Sequence, residues 1–135
     1  MRRRAPSDAP AYGRAFGSAK SQGVQALQVA VATDNAGAAN LNTIAAMALA
    51  ARLPTISGTP AFIDAGGLMA YGGGGPENHR RGAAYVVRML HGEKPSDLPV
   101  LQPDKYNFVV NLGVARKLGL DIPASVLALA DQVVE

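Results

Sequence analysis

Short apolar runs between glycine and proline residues form the middle of the chain. Residues 53–57 are one such run, with β-branched side chains at its centre, and residues 68–71 are another. Runs of this length with helical patterns on both sides are typical of buried parallel strands. Ligands of such sheets bind beyond the carboxyl ends of the strands, so we expect loops 58–60 and 71–75 to border a ligand crevice.

The remaining elements follow from apolar spacing, proline and glycine. Residues 24–32 and 106–110 are predicted strands, and residues 94–103, with three prolines, are a predicted extended connection. The predicted helices, with the residues of each apolar face in parentheses, are 12–22, 38–51 (Leu41, Ile44, Ala45, Ala48), 76–92 (Ala83, Val86, Val87, Leu90), 112–118 and one opened by Pro123 (Val126, Leu127, Ala130, Val133). Asn111 is the expected cap of helix 112–118, and Gly119 its expected left-handed end. This order predicts an α/β fold with a mostly parallel sheet flanked by helices.

Composition fits one folded domain. The 135 residues are 48% hydrophobic and 17% charged, which favours a chain with a real core over a disordered one. Cysteine is absent, so disulfide scaffolds, thiolate metal sites and cysteine nucleophiles are excluded.

Positive charge is concentrated at the start of the chain. The first 20 residues contain five Lys/Arg and one acidic residue, whereas the other 115 contain eight Lys/Arg and nine Asp/Glu, a net charge of −1. A nearly neutral domain argues against nucleic-acid binding. The basic start lacks the apolar segment of a signal peptide, and no run is long enough to span a membrane. We expect residues 1–12 to be a flexible basic amino terminus and residues 13–135 to form a single α/β lobe with a final crossover strand and carboxyl-terminal helices.

Five motifs carry a resemblance to a known family. They are A-x-R-L-P-T-I from Ala50, A-G-G-L-M-A-Y-G from Ala65, R-R-G-A-A-Y-V from Arg80, H-G-E-K-P-S-D-L-P-V from His91 and N-F-V-V-N-L-x-x-A-R-K-L-G-L-x-I-P from Asn107. In this order they resemble the carboxyl-terminal part of ABC-transporter substrate-binding proteins of the tryptophan/tyrosine-binding-like family, which have a type 1 periplasmic-binding-protein fold. The resemblance covers residues 17–135 and well under half of a complete binding protein.

The resemblance implies a non-enzymatic transport function. Proteins of this family hold a small solute between two lobes and deliver it to an ABC permease in the membrane. By resemblance, this chain is a fragment of such a solute-binding protein, one lobe that binds a small organic solute such as an amino acid. A single lobe presents half of the contacts and exposes an apolar face, so we expect weak or no binding alone and self-association through that face. The implied location is periplasmic or extracytoplasmic; without a signal peptide, the chain expressed alone is expected in the cytoplasm.

Five residues are candidates for solute binding. Thr33, Asp34 and Asn35 follow a predicted strand and precede a predicted helix, where polar groups can bind a ligand head group or merely cap the helix. In amino-acid-binding members that the chain resembles, a T-D-N at the matching place contacts the ligand. Thr59 is either a ligand contact or an ordinary turn residue. Tyr71, at the carboxyl end of a strand, is either a stacking residue or a half-buried core tyrosine.

Enzymatic chemistry has little support in the sequence. Ser57 lacks the G-x-S-x-G context of a hydrolase nucleophile, and His79 and His91 have no further ligands at metal-binding spacing. We therefore predict no catalytic residue, no metal site and no cofactor. Two alternatives to solute binding stay open from the residues alone, a truncated remnant without function and a small standalone α/β enzyme, for which only Asp34 would qualify as an acidic group at a strand end.

Overall fold

The fold is α/β, as the order of sequence patterns predicted. A computed structural model describes residues 9–30, 37–73, 76–102 and 105–135. Its elements are α1 (Ala9–Ser21), β1 (Leu27–Val29), α2 (Ala38–Ala50), β2 (Thr55–Ser57), α3 (Ala61–Asp64), β3 (Met69–Gly73), α4 (Pro76–Leu90), a 3₁₀ turn (Pro95–Asp97), β4 (Tyr106–Asn111), α5 (Leu112–Leu118), α6 (Ala124–Leu127) and β5 (Gln132–Val134). The chain divides into two compact units, unit 1 with Met1–Gly72 and Asn107–Glu135, and unit 2 with Gly73–Tyr106.

The five strands form one sheet in the order β1-β2-β3-β4-β5. The pairs β1–β2, β2–β3 and β4–β5 are parallel. Leu68, immediately before β3, accepts a hydrogen bond from the backbone N–H of Asn111 at the end of β4 (2.9 Å). Tyr71 within β3 packs its ring on Phe108 near the start of β4. These two contacts show that β3 and β4 run in opposite directions. Three of the four neighbouring strand pairs are therefore parallel, which confirms the prediction of a mostly parallel sheet.

Helix α2 supplies the centre of the unit 1 core. Its residues Leu41, Ile44, Ala45 and Ala48 are buried, which is the face that the helical spacing predicted. Three of them pack with Val29 of β1 and Phe62 of α3, and Tyr12 of α1 joins the same cluster. Two smaller clusters complete the core, one built on Ile63, Ala70 and Val109 and the other on Leu68, Val114 and Ala115.

Helix α5 has the two ends that the sequence predicted. The side-chain oxygen of Asn111 accepts a hydrogen bond from the N–H of Val114 at 3.0 Å, which satisfies one of the free donors of the first turn. Gly119 has φ 73°, the left-handed conformation that favours glycine after a helix.

Three predicted elements differ in extent from the observed ones. Helix α1 already begins at Ala9, before the predicted start at residue 12. Of the predicted strand 24–32, residues 31–32 lie outside the described residues, and the described part is a strand only over Leu27–Val29; the N–H of Val24 still bonds to Ala19 near the end of α1. The predicted last helix is wrong beyond Leu127: Asp131 bonds to Phe108, and the chain continues as β5.

Unit 2 consists mainly of α4 and the proline-rich connection after it. The Tyr85 hydroxyl donates to the carbonyl oxygen of Pro99 at 2.6 Å, which holds the connection against the helix. Arg88 donates from Nε to Glu93 at 2.6 Å and from Nη2 to the other carboxylate oxygen, and it lies over the Tyr85 ring. The hydrogen bond to Glu93 is the main cause that raises the pKa of Arg88, so its guanidinium stays charged. Within the described residues, no helix has the length and hydropathy of a membrane span.

Candidate functional site

Strands β1, β2 and β3 are parallel, so their carboxyl ends share one edge of the sheet, as expected for a ligand crevice. Two buried hydroxyls fix how these strands align. Ser57 Oγ donates to the carbonyl oxygen of Val29 at 3.0 Å, and Thr55 Oγ1 accepts from the N–H of Leu68 at 3.1 Å. Among the described residues, every buried side-chain nitrogen or oxygen has a hydrogen-bond partner. The buried hydroxyls beneath this edge of the sheet therefore all have hydrogen-bond partners.

Of the two segments expected to be loops at the crevice, 71–75 is strand over its described residues, since β3 extends to Gly73, and its backbone lies against that of segment 58–60. A β-carbon placed on Gly72, in β3, would lie 2.0 Å from the carbonyl oxygen of Gly58, which follows β2. Only glycine allows so close an approach at position 72. Thr59 and Tyr71 directly flank these two glycines in the sequence.

Thr59 lies at the entrance to α3. Its carbonyl oxygen accepts the N–H of Phe62 at 3.2 Å, and the carbonyl of Pro60 accepts that of Ile63 at 2.8 Å, so the short helix holds Thr59 in place. The residue is half-buried, and its hydroxyl makes no hydrogen bond to the described part of the chain. Thr59 can therefore offer its hydroxyl to a solute.

Tyr71 is the most exposed of the described candidate residues, with 55% of its surface accessible. Its ring meets that of Phe108 edge to face, with centroids 6.2 Å apart and planes at 76°. Such a pair orients the tyrosine ring. Tyr71 is therefore more exposed than the half-buried core residue that the sequence left as the alternative.

The other three candidates, Thr33, Asp34 and Asn35, lie outside the described residues. The described chain resumes at Gly37, the residue before α2, and no side chain of the described residues caps that helix. A shallow groove of about 220 Å³ lies between the first turn of α2 and α3. Its lining residues are Ala38, Leu41, Asn42, Ala61, Asp64 and Ala65. This volume falls below the range of about 300–1,000 Å³ typical of small-molecule sites, so the groove alone is not a complete pocket.

Unit 2 has a larger groove of its own, of about 510 Å³, which the sequence did not suggest. It runs between α4 and the connection after it, and its lining is mostly apolar: Asn78, Arg81, Gly82, Tyr85, Met89, Pro95, Leu98, Pro99, Val100, Leu101 and Gln102.

Sequence reasoning missed two participants of the sheet edge, Phe108 and the Gly58–Gly72 contact. Phe108 was assigned to a strand, but the opposite direction of β4, which brings its ring to Tyr71, left no mark in the local pattern. For the glycines a signal was present, since glycine inside a strand often marks close approach of another backbone segment. In the described residues, no group of three or more acidic or histidine side chains is arranged to hold a metal ion.

Comparisons with known proteins agree with this architecture. The family model described as "ABC transporter substrate binding protein" matches residues 17–134. A search of curated proteins gives no match. Among solved structures, the ABC domain from Streptococcus pneumoniae in complex with L-Trp is 29% identical, with a TM-score of 0.70; the match covers 93% of this chain and 41% of that protein.

Two further solved structures share the fold at lower identity. A conserved domain protein from Vibrio cholerae O1 biovar El Tor is 21% identical, with a TM-score of 0.81, and the match covers 93% of this chain and 42% of that one. The ligand-free, open structure of a substrate-binding protein with adhesive properties from Clostridium difficile is 22% identical, with a TM-score of 0.63, and the match covers 95% and 41%. The chain thus spans about two-fifths of the length of these relatives.

The match over residues 17–134 confirms the resemblance carried by the five motifs. The family that matches is one of ABC transporter substrate-binding proteins, as the resemblance implied, so the standalone enzyme is set aside. The chain spans part of the length of its solved relatives and belongs to the ABC transporter substrate-binding protein family.

Proposed function

We propose that the chain forms one half of the solute site of an ABC importer's binding protein and contacts the solute through Thr33, Asp34, Asn35, Thr59 and Tyr71. The observation that supports this most is the Gly58–Gly72 contact, because Thr59 and Tyr71 directly flank these two glycines in the sequence. A half-buried hydroxyl and an exposed aromatic side chain suit a small organic solute with polar and planar parts.

The proposed solute is an amino acid, with aromatic ones tested first. The Streptococcus relative binds L-Trp and is the most identical of the three solved relatives described above. Tyr71 can stack on an aromatic side chain, while the Thr33–Asn35 segment can bind an amino or carboxylate group.

Transport requires a second half-site and a membrane partner. We propose that the complete protein closes around its solute because the solute fits the closed state better, and that an ABC permease then accepts the closed form. This places the working protein outside the cytoplasmic membrane. Without the second half-site, the chain is expected to bind its solute weakly. Self-association through an exposed face is expected to compete with solute binding.

A thermal-shift and titration calorimetry series tests the proposal. L-Trp, L-Tyr, L-Phe and L-Leu are each added to the purified chain, and a solute that binds only the folded state raises its stability by about 2.7 kcal/mol at a hundredfold excess over Kd. Tyr71→Ala and Thr59→Val should remove the shift. Tyr71→Phe should keep the part of the thermal shift that comes from stacking. Thr43→Val is the control, because the Thr43 hydroxyl bonds to a carbonyl of its own helix.

The alternative is a remnant without function. The chain and its variants could all unfold cooperatively at melting temperatures that no solute changes. This result would contradict solute binding by this chain and favour the remnant. A shift that survives Tyr71→Ala and Thr59→Val would place the site elsewhere.

A further inference from the structure

Tyr71 and Phe108 lie directly opposite each other on two neighbouring strands of unit 1. The N–H of Asn111 at the end of β4 donates to the carbonyl oxygen of Leu68 at 2.9 Å, and β3 and β4 run in opposite directions. Three residues forward from Leu68 is Tyr71, and three residues back from Asn111 is Phe108. The two rings therefore belong to one cross-strand pair, the unit through which side chains stabilise a sheet.

The position of this pair in the ladder brings its side chains close together. In an antiparallel ladder, hydrogen-bonded pairs alternate with non-hydrogen-bonded pairs, whose Cα atoms are about 4.5 Å apart instead of about 5.5 Å. Because Asn111 bonds across to β3, Phe108, three residues away, falls in a non-hydrogen-bonded pair with Tyr71. Ala70 and Val109, the next pair along, share one buried cluster, as this register requires.

Asp131 holds the backbone of Phe108 from the other side. In a non-hydrogen-bonded pair with β3, the N–H and carbonyl of Phe108 both point towards β5. The N–H donates to Oδ2 of Asp131 at 2.8 Å, and the carbonyl oxygen accepts the N–H of Asp131 at 2.9 Å. A single residue at the start of β5 thus occupies both backbone groups of Phe108 and fixes its place beside Tyr71.

We propose that Phe108 is a positioning residue that holds the Tyr71 ring in one orientation for the solute, with Asp131 as its anchor. The inference rests on the proposed function, in which Tyr71 contacts the solute. A tyrosine side chain can occupy several staggered χ1 rotamers, and the edge-to-face contact, with centroids 6.2 Å apart, favours one of them. A ring already in its bound orientation loses less conformational entropy on binding. The pair therefore favours planar solutes, which can stack on the ring, over aliphatic ones.

The orientation of Tyr71 can be measured without any solute. In the 135-residue chain, three-bond NMR couplings from Cγ of Tyr71 to its own backbone nitrogen and carbonyl carbon report whether χ1 occupies one rotamer. We expect one rotamer in the unaltered chain and averaged couplings in Phe108→Leu. Phe108→Tyr restores an aromatic edge and should restore the single rotamer. Phe16→Leu is the matched control, because Phe16 is also partly buried but packs against the cluster around α2.

Titration calorimetry with L-Trp and L-Leu measures the consequence for the solute. Phe108→Leu should weaken L-Trp binding by about threefold to tenfold, the range that one aromatic pair contributes, and L-Leu binding by less than about twofold. Asp131→Ala removes the acceptor of the Phe108 N–H and should change both the couplings and the L-Trp affinity in the same direction. Asp131→Asn keeps a side-chain oxygen and should stay close to the unaltered chain. If Phe108→Leu does not fold, Asp131→Ala replaces it in both measurements.

Three results would overturn the proposal. A single χ1 rotamer for Tyr71 in Phe108→Leu would mean that Phe108 does not orient the ring, and equal averaging in Phe16→Leu would indicate a general loosening. Equal losses of affinity for L-Trp and L-Leu would assign Phe108 a structural role only. Failure of the solute site is a separate result: if the unaltered chain binds neither solute, the proposed function is wrong, while the couplings still decide whether Phe108 orients Tyr71.

Discussion

Gly72 of β3 lies so close to Gly58 after β2 that a β-carbon on Gly72 would come within 2.0 Å of the Gly58 carbonyl oxygen. The obstacle is backbone, which cannot swing aside as a flexible side chain can. Gly72→Ala should therefore push β3 away from the loop after β2 and lower the free energy of unfolding by about 1–3 kcal/mol, the range for overpacked sites. Urea unfolding followed by circular dichroism measures this change.

The other glycine of the pair provides the matched control. A β-carbon on Gly58 meets nothing within 4 Å, and its backbone is not in the left-handed region. Gly58→Ala should leave stability unchanged or raise it by about 0.5 kcal/mol through a less flexible unfolded chain. Equal losses at both positions would mean that the Gly58–Gly72 contact is not the cause.

Arg52 is a second position where the backbone conformation favours glycine over other residues. It has φ 55°, and it occupies the left-handed position after α2: its N–H bonds to Leu49 at 3.0 Å and that of Leu53 to Ala48 at 2.9 Å. Arg52→Gly should raise the free energy of unfolding by about 0.5–1 kcal/mol, because the left-handed strain is relieved by more than glycine's flexibility costs. Arg52→Ala keeps the strain and should show no gain; a gain of the same size in both would point to the arginine's charge instead.

Local signals of this kind explain how much of the fold could be predicted. The cap at Asn111, the left-handed Gly119 and the buried face of α2 each depend on a few neighbouring residues, and the structure confirms all three. They could be recognised because capping and helical spacing act within one or two turns.

The misjudged elements depend on contacts between distant residues. Val126, Leu127, Ala130 and Val133 have helical spacing, yet the backbone of Phe108 bonds to both the N–H and the carboxylate of Asp131 at 2.9 and 2.8 Å and directs the chain into β5. Likewise, the predicted apolar face of α4 has helical spacing, yet its residues Val86, Val87 and Leu90 are exposed. At the candidate site, Tyr71 was predicted from an expected strand end but lies within β3, and its contact with Phe108 required knowledge of the strand direction.

The Asn111 cap gives a further test at the junction of β4 and α5. Asn111→Ala removes the acceptor of the Val114 N–H and should cost about 1 kcal/mol of stability. Asn111→Asp keeps an acceptor at the start of the helix and should retain most of it. Chemical unfolding of both variants measures the difference; comparable losses would indicate that packing around Asn111, rather than its hydrogen bond, matters.

Ser57 tests the polar base of the candidate site. Its Oγ is buried and donates to Val29 at 3.0 Å, whereas Ser21, at the exposed end of α1, makes the same kind of bond to Ser18 at 2.9 Å. A buried carbonyl oxygen that loses its donor cannot bond to water instead, whereas an exposed one can. Ser57→Ala should therefore lower the free energy of unfolding by about 1–2 kcal/mol, and Ser21→Ala by a few tenths at most. Because Ser57 precedes Gly58 and Thr59, we also expect Ser57→Ala to weaken any solute-induced thermal shift, while Ser21→Ala should not. If the two variants unfold at the same urea concentration, the Ser57 bond does not hold β1 and β2 together, and the rigidity of this edge must come from the apolar clusters beneath it.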